Sequence, residues 1–255
     1  MSVEVAPFQR RTVSFVRRES PLGPRVQRAW DENYGRLVID VPRMEGSMSV
    51  APGFELDAPR EFGRVAPLVV EIGSGTGDAV VNGAVSRPGT NFLAVEVYAT
   101  GLAATVTKIV HHNLTNVRLV HADAVQVLEH MLRPQSVAEL WIFFADPWHK
   151  NRHAKRRLVN PAFAELAASR LALGGALRLA TDWAGYALQL RDVLAACDTL
   201  TNPHIHTCAD SSPAPTRVAP RFQAQDSPRT AHNGPASGQA IHVRDPRTRA
   251  RAPPV

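Results

Sequence analysis

The segment LVVEIGSGTG (68–77) reads as a strand running into a glycine-rich turn. Leu68 to Gly73 form a short apolar run interrupted only by Glu71, as expected of a strand buried on both faces. Gly73, Gly75 and Gly77 let the backbone turn tightly and approach a ligand closely just before a helix begins. The dinucleotide-binding spacing G-x-G-x-x-G is not met, because Asp78 stands where its third glycine belongs. An NAD enzyme is therefore disfavoured.

Outward from this segment the pattern repeats. NFLAVEV (91–97), NVRLVH (116–121), ELWIFFA (139–145) and ALRLAT (176–181) are further apolar runs of strand length. Helix-compatible stretches lie between and after them, at 77–86, 98–112, 123–132, 160–172 and 183–197. The fourth of these is the best marked. Asn160 can cap it, Pro161 suits its first turn, Phe163, Leu166, Ala167 and Leu171 share a face, and Gly174 and Gly175 end it. Alternating strands and helices predict an α/β fold, a doubly wound and mostly parallel sheet with helices on both faces.

Three parts are expected along the chain. Residues 1–64 read as a flexible basic N-terminal arm with one short helix over Gly23–Tyr34, and residues 65–202 as the α/β domain. Residues 203–255 read as a divergent Pro- and Arg-rich segment of loop or disorder, without a convincing final hairpin.

Three acids fall at the carboxyl ends of predicted strands, where open α/β sheets bind ligands. Glu71 ends the first, beside the glycines. Glu96 ends the second, about 20 residues after the loop, where an acid can accept from both hydroxyls of a ribose. Asp123 follows the third, and it either lies near the edge of an adenine or caps the next helix. Together they favour a nucleoside ligand, and an acid before the glycines resembles class I methyltransferases more than dehydrogenases.

The fourth strand runs into Asp146-Pro147-Trp148-His149-Lys150 and then Asn151-Arg152-His153-Ala154-Lys155-Arg156-Arg157. An acid and an aromatic here lie beside the expected ligand. Trp148 can stack on a base, and Arg152, Lys155, Arg156 and Arg157 can hold phosphates. The net charge of +6 fits a polyanionic partner, although arginine-rich composition alone gives the same total.

Here the sequence closely resembles the bacterial tRNA (guanine-46-N7)-methyltransferases, whose mark is a strand ending F-P-D-P-W-x-K-K-R-H-x-K-R-R-L. This chain reads F-A-D-P-W-H-K-N-R-H-A-K-R-R-L, departing at Ala145 and Asn151. The family's A-T-D-W is matched by Ala180 to Trp183, its E-I-G-x-G-x-G by Glu71 to Gly77, and its L-x-x-E-V by Leu93 to Val97. SFVRR (14–18) and PRVQRAW (24–30) are similar to its N-terminal arm. The resemblance implies a Rossmann-like class I fold, S-adenosylmethionine as cofactor and tRNA as partner. It implies donor binding by Glu71, Gly73, Gly75, Gly77, Glu96, Asp123 and Asp146, with Asp146 also catalytic, and substrate binding by Lys150 and Asp182. The family's C-terminal T-x-F-E is matched only at Thr230, a further substrate-binding position, since Asn233 replaces the Glu.

The 2 cysteines, Cys197 and Cys208, make no disulfide framework and fit a reducing compartment. No apolar run reaches the roughly 18 residues a membrane helix needs. A soluble, cytoplasmic protein without a metal is expected. His204, His206, Cys208 and Asp210 alternate but lack a second half-site for zinc. Two rival readings share these features: a class I methyltransferase acting on another RNA base or a small molecule, and a tRNA-binding relic without turnover.

Overall fold

A computed structural model describes residues 21–44, 48–201 and 237–243. Its strands are β1 (Leu68–Ile72), β2 (Asn91–Glu96), β3 (Val117–His121), β4 (Val137–Phe143), β5 (Leu171–Thr181), β6 (Leu200–Thr201) and β7 (Ser237–Val243). They form one seven-stranded sheet in the order β3-β2-β1-β4-β5-β7-β6. The first five are parallel, and β7 runs antiparallel between β5 and β6. The chain winds outward from β1 to β3, then returns to β4 on the other side of β1. The sheet therefore splits at β1 and β4, the place where such folds open a ligand crevice.

Every residue of β1 and β2 is buried, which explains their lack of alternation. One face of the sheet offers Val70, Ile72, Leu93, Leu140 and Leu177 to α6 (Pro161–Arg170) and α7 (Ala184–Ala195). The other offers Val69, Phe92 and Trp141 to α1 (Pro24–Leu37), α3 (Asp78–Ser86) and α4 (Ala99–His111). A short α2 (Ala58–Phe62) closes one side with Phe62.

Four expectations need correction. The N-terminal helix runs on to Leu37, which is 0% exposed, and Val38 then bridges in parallel to Leu119 of β3. Leu37, Val38, Ile39, Val41, Val50, Leu56 and Phe62 thus belong to the cores of the sheet, and packing does not change at residue 64. The predicted helix over 123–132 has only a short α5 (Ala124–Gln126), followed by a π turn over Val127–Met131. There the carbonyl of Leu128 accepts from Arg170 Nε at 2.7 Å and that of Met131 from the Leu56 amide at 2.8 Å, so regular helix bonding is diverted.

The predicted helix over 160–172 stops at Arg170, and Gly174 and Gly175 belong to β5. Pairing with β4 jumps from Val137↔Leu171 to Glu139↔Ala176, so this stretch of β5 bulges out. Gly174 sits there at φ 75°, and a Cβ on Gly175 would stand 2.8 Å from the Ala172 carbonyl. Finally, Gly238 to His242 lie inside β7, so part of the C-terminal segment completes the sheet. The segments 1–20, 202–236 and 244–255, with Thr230 and the His204–Asp210 group, lie outside the described residues.

Candidate active site at the carboxyl ends of the strands

Gly73, Gly75 and Gly77 all have positive φ, at 69°, 54° and 78°. The loop is pinned from two sides. Gly73 N donates to Val95 O at 2.8 Å, and Gly75 N donates to Glu96 Oε2 at 2.7 Å. On the other side it lies against α4, where a Cβ on Gly77 would meet Thr105 at 2.4 Å and one on Gly101 would meet Gly75 O at 2.4 Å. Glu96 Oε1 also accepts from the amides of Val97 at 2.7 Å and Tyr98 at 3.0 Å. Three backbone amides thus occupy a carboxylate that has about four lone-pair sites. The acid expected to meet a ribose is also the staple of the glycine loop.

Glu71 lies beneath this loop and is 3% exposed. Burial pushes its pKa up to about 8, against the Val80 amide, which favours the charged form. Its Oε2 and the Ser74 hydroxyl have no hydrogen-bond partner. Two orphaned acceptors under a glycine loop fit a ligand carrying an ammonium group. Their chain neighbour Gly73 lines a cavity of about 260 Å³ whose wall also includes Glu96, Tyr98, Ala122, Phe144 and Asp146. Its mixture of backbone, acids and apolar side chains fits S-adenosylmethionine: acids for a cationic amino-acid end and a ribose, apolar wall for a base.

Asp123 is adjacent but turned to a structural task. Its Oδ1 accepts from the amides of Val125 at 2.9 Å and Gln126 at 3.2 Å, which caps α5. The cavity wall is formed by its neighbours Ala122 and Ala124.

The turn after β4 carries backbone strain. Phe144 and Trp148 have φ of 55° and 45°, and such non-glycine positions cost roughly 1–3 kcal/mol each. They bracket Ala145, Asp146 and Pro147. The Phe144 amide is tied to Ala180 O of β5 at 2.8 Å. At the other end stands Arg157, expected from sequence as an RNA contact but 9% exposed here. Its Nε donates to Pro147 O at 2.8 Å, its Nη2 reaches Trp148 O at 3.5 Å, and its Nη1 donates to Gln189 Oε1. The guanidinium also lies 4.8 Å from the ring centre of Trp183. It is enclosed because it replaces solvent for two turn carbonyls, so Arg157 holds Asp146-Pro147-Trp148 rather than facing a phosphate.

A second, open cavity of about 680 Å³ adjoins the first and is lined by Tyr98, Asp146, Trp148, His149, Lys150 and His153. Asp146 and Lys150 are exposed at its rim. Arg156 stacks on the Trp148 ring at 3.8 Å, so that ring already has a cationic neighbour. Arg152 and Lys155 project to solvent from a 3-10 turn over Asn151–Arg156. Desolvation and the cations Arg152, Arg156 and Lys150 hold His153 below the usual histidine range. Asp182 is exposed at the end of β5, next to Trp183, whose ring meets His149 at 4.9 Å. Sequence reasoning passed over Tyr98, an aromatic two positions beyond Glu96, and Gly101, whose signal was a glycine inside a helix. Among the described residues no metal-type cluster occurs, and no helix is long and apolar enough to cross a membrane.

Residues 65–228 match the family model described as "Putative methyltransferase". A tRNA (guanine-N(7)-)-methyltransferase of Paenarthrobacter aurescens is 48% identical over 89% of this chain and 79% of its own length. One of Cutibacterium acnes is 44% identical over 92% of this chain and 82% of its own length. Among solved structures, the aminoglycoside resistance methyltransferase NpmB1 superposes with a TM-score of 0.49 at 14% identity, covering 73% of this chain and 93% of that one. With its glycine loop, strand-end acids and Asp-Pro-Trp turn in place, the chain belongs to the tRNA (guanine-N(7)-)-methyltransferase family.

Proposed function

We propose that this chain transfers a methyl group from S-adenosylmethionine to N7 of guanine 46 in the variable loop of tRNA. One observation carries the reading: Asp146 stands on a strained turn where a cavity suited to the donor meets an open, basic-rimmed cavity suited to a base. When bound, the donor supplies an electrophilic methyl on a sulfonium. Guanine N7 has an in-plane lone pair and no proton, so no base has to act first. The protein's work is to align the two reactants, which is catalysis by proximity and orientation. Asp146 accepts from the N1 and N2 hydrogens of guanine and offsets the positive charge that reaches the ring. Lys150 and Asp182 flank the base, and Arg152, Lys155 and Arg156 meet phosphates of the RNA. Glu71 and Glu96 hold the amino-acid and ribose parts of the donor, and Asp123 holds its place by capping α5.

The test is incubation of the protein with radiolabelled donor and unmodified tRNA, followed by nuclease digestion and identification of the labelled nucleoside. Label should appear as 7-methylguanosine, and should vanish when guanine 46 is replaced by adenine. Asp146→Asn should lose most turnover while donor affinity changes little. Label elsewhere on the RNA, or donor binding without any transfer, would overturn the reading.

A further inference from the structure

Among the described residues, Tyr98 and Asp146 line both cavities. Asp146 has a place in the proposed reaction, and Tyr98 has none. Its backbone is held tightly. The amide donates to Glu96 Oε1 at 3.0 Å, and the carbonyl accepts from Gly101 at 3.0 Å and Leu102 at 3.2 Å at the start of α4. Its ring leans on the bare face of Gly101, where a Cβ would stand 3.1 Å from Tyr98 Cδ1. The same missing Cβ admits the Gly75 carbonyl. One glycine therefore sets the glycine loop and the tyrosine ring relative to each other, and so relates the donor's position to whatever rests on that ring.

Of the other aromatic residues lining the second cavity, Trp148 already has its ring stacked by Arg156. Tyr98 is half-buried and lines this cavity as well as the donor cavity. A flat purine entering there needs a flat partner to fix its tilt, while Asp146 fixes rotation in the plane. We propose that Tyr98 is the stacking platform for the target guanine, setting the angle at which N7 faces the methyl group; this rests on the tRNA methylation proposed above. The proposed phosphate contacts that draw in the RNA lie elsewhere, on Arg152, Lys155 and Arg156. Loss of the platform therefore acts on turnover more than on capture.

Steady-state methylation of tRNA and calorimetric donor binding should be measured for the wild type, Tyr98→Phe, Tyr98→Leu and Tyr98→Ala. Leucine keeps an apolar contact on Gly101 without a flat face, which guards against a variant that merely folds poorly. Tyr98→Phe should stay within about threefold of wild-type kcat. Tyr98→Leu and Tyr98→Ala should lose about ten- to a hundredfold in kcat, the loss expected of one base–aromatic stack. The KM for tRNA and the donor Kd should shift by less than about threefold. Unchanged kcat in the leucine and alanine variants would overturn the proposal. So would a donor Kd that rises in step with the loss, which would make Tyr98 part of the donor wall alone. A phenylalanine variant as poor as alanine would also overturn it, because the ring would then not be the active part. Wild-type protein that binds donor but leaves tRNA unmethylated would instead refute the underlying reading, and this inference with it.

Discussion

Glu71 gives the sharpest quantitative expectation. Its carboxyl is buried under the glycine loop, and its pKa is pushed from 4.5 to about 8 by desolvation. At 1.36 kcal/mol per unit, the charged form costs about 5 kcal/mol more in the folded protein than in the unfolded chain. Because the folded pKa is the higher one, the stability contributed by the neutral acid is complete below about 4.5 and is lost as pH rises through about 8. The ligand-free protein should therefore melt at progressively lower temperature between pH 5 and pH 8, and Glu71→Gln should remove most of that slope. A bound ammonium group reverses the preference and draws the carboxyl into its charged form. Only about a tenth of the free protein is ionised there at pH 7, and about a hundredth at pH 6. Donor affinity should accordingly rise about tenfold from pH 6 to pH 7, with close to one proton released per donor bound. Isothermal calorimetry at both pH values, in buffers of different ionisation enthalpy, measures affinity and proton release together. A wild-type Kd that is flat across this range would refute the assignment of the ammonium to Glu71, as would the same slope in Glu71→Gln.

Further expectations follow from the other contacts. Arg157→Ala should lower stability by about 2–4 kcal/mol in denaturant unfolding, because it strips partners from half-buried carbonyls and vacates space between rings, and turnover should fall with it. Replacing Arg152 and Lys155 together by Ala should leave the melting temperature unchanged while weakening tRNA binding. The slope of log affinity against log salt should then drop by about one to two, as read by filter binding. Gly101→Ala places a Cβ 2.4 Å from the Gly75 carbonyl, so donor binding should be largely lost in calorimetry while the far-ultraviolet circular dichroism is retained. Asp123→Ala should cost about 1 kcal/mol of stability as a lost helix cap. If donor affinity also fell tenfold or more, Asp123 would be a direct ligand as well.

The parallel strands were legible in the sequence because burial on both faces leaves unbroken apolar runs; β1 to β3 fall within the predicted segments, and β4 overlaps its segment but starts two residues earlier, at Val137. The glycine loop was legible for a similar reason, since three positive-φ glycines leave a fixed spacing. The tasks of individual side chains were not. Arg157 reads as one more member of a basic run, and only the fold shows that α7 brings Gln189 to it and that the turn carbonyls of Pro147 and Trp148 surround it. Glu96 reads as a ligand acid, although its oxygens also gather three amides whose direction depends on backbone geometry. The strand β7 was only faintly legible, as a likeness of Gly238 to His242 to the family's last strand, because its SGQAIHV lacks alternation and β-branched density. Its pairing comes from β5, far away in sequence, rather than from local preference. The π turn at Val127–Met131 was hidden likewise, as Arg170 and Leu56 divert its carbonyls.

The place of β7 also constrains how the molecule can be made. Among the described residues, the last strand lies inside the sheet, between β5 and β6, and β6 has no other neighbour there. A nascent chain that has emerged only as far as residue 201 can assemble the five parallel strands, but it leaves β5 as an open edge and β6 unattached. Such an intermediate offers a bare row of amides and carbonyls to any passing strand. The wait ends only when residues 237–243 leave the ribosome and slot in antiparallel. Synthesis slowed within the intervening stretch should therefore increase aggregation, and a chain truncated just before Ser237 should lose two strands rather than one.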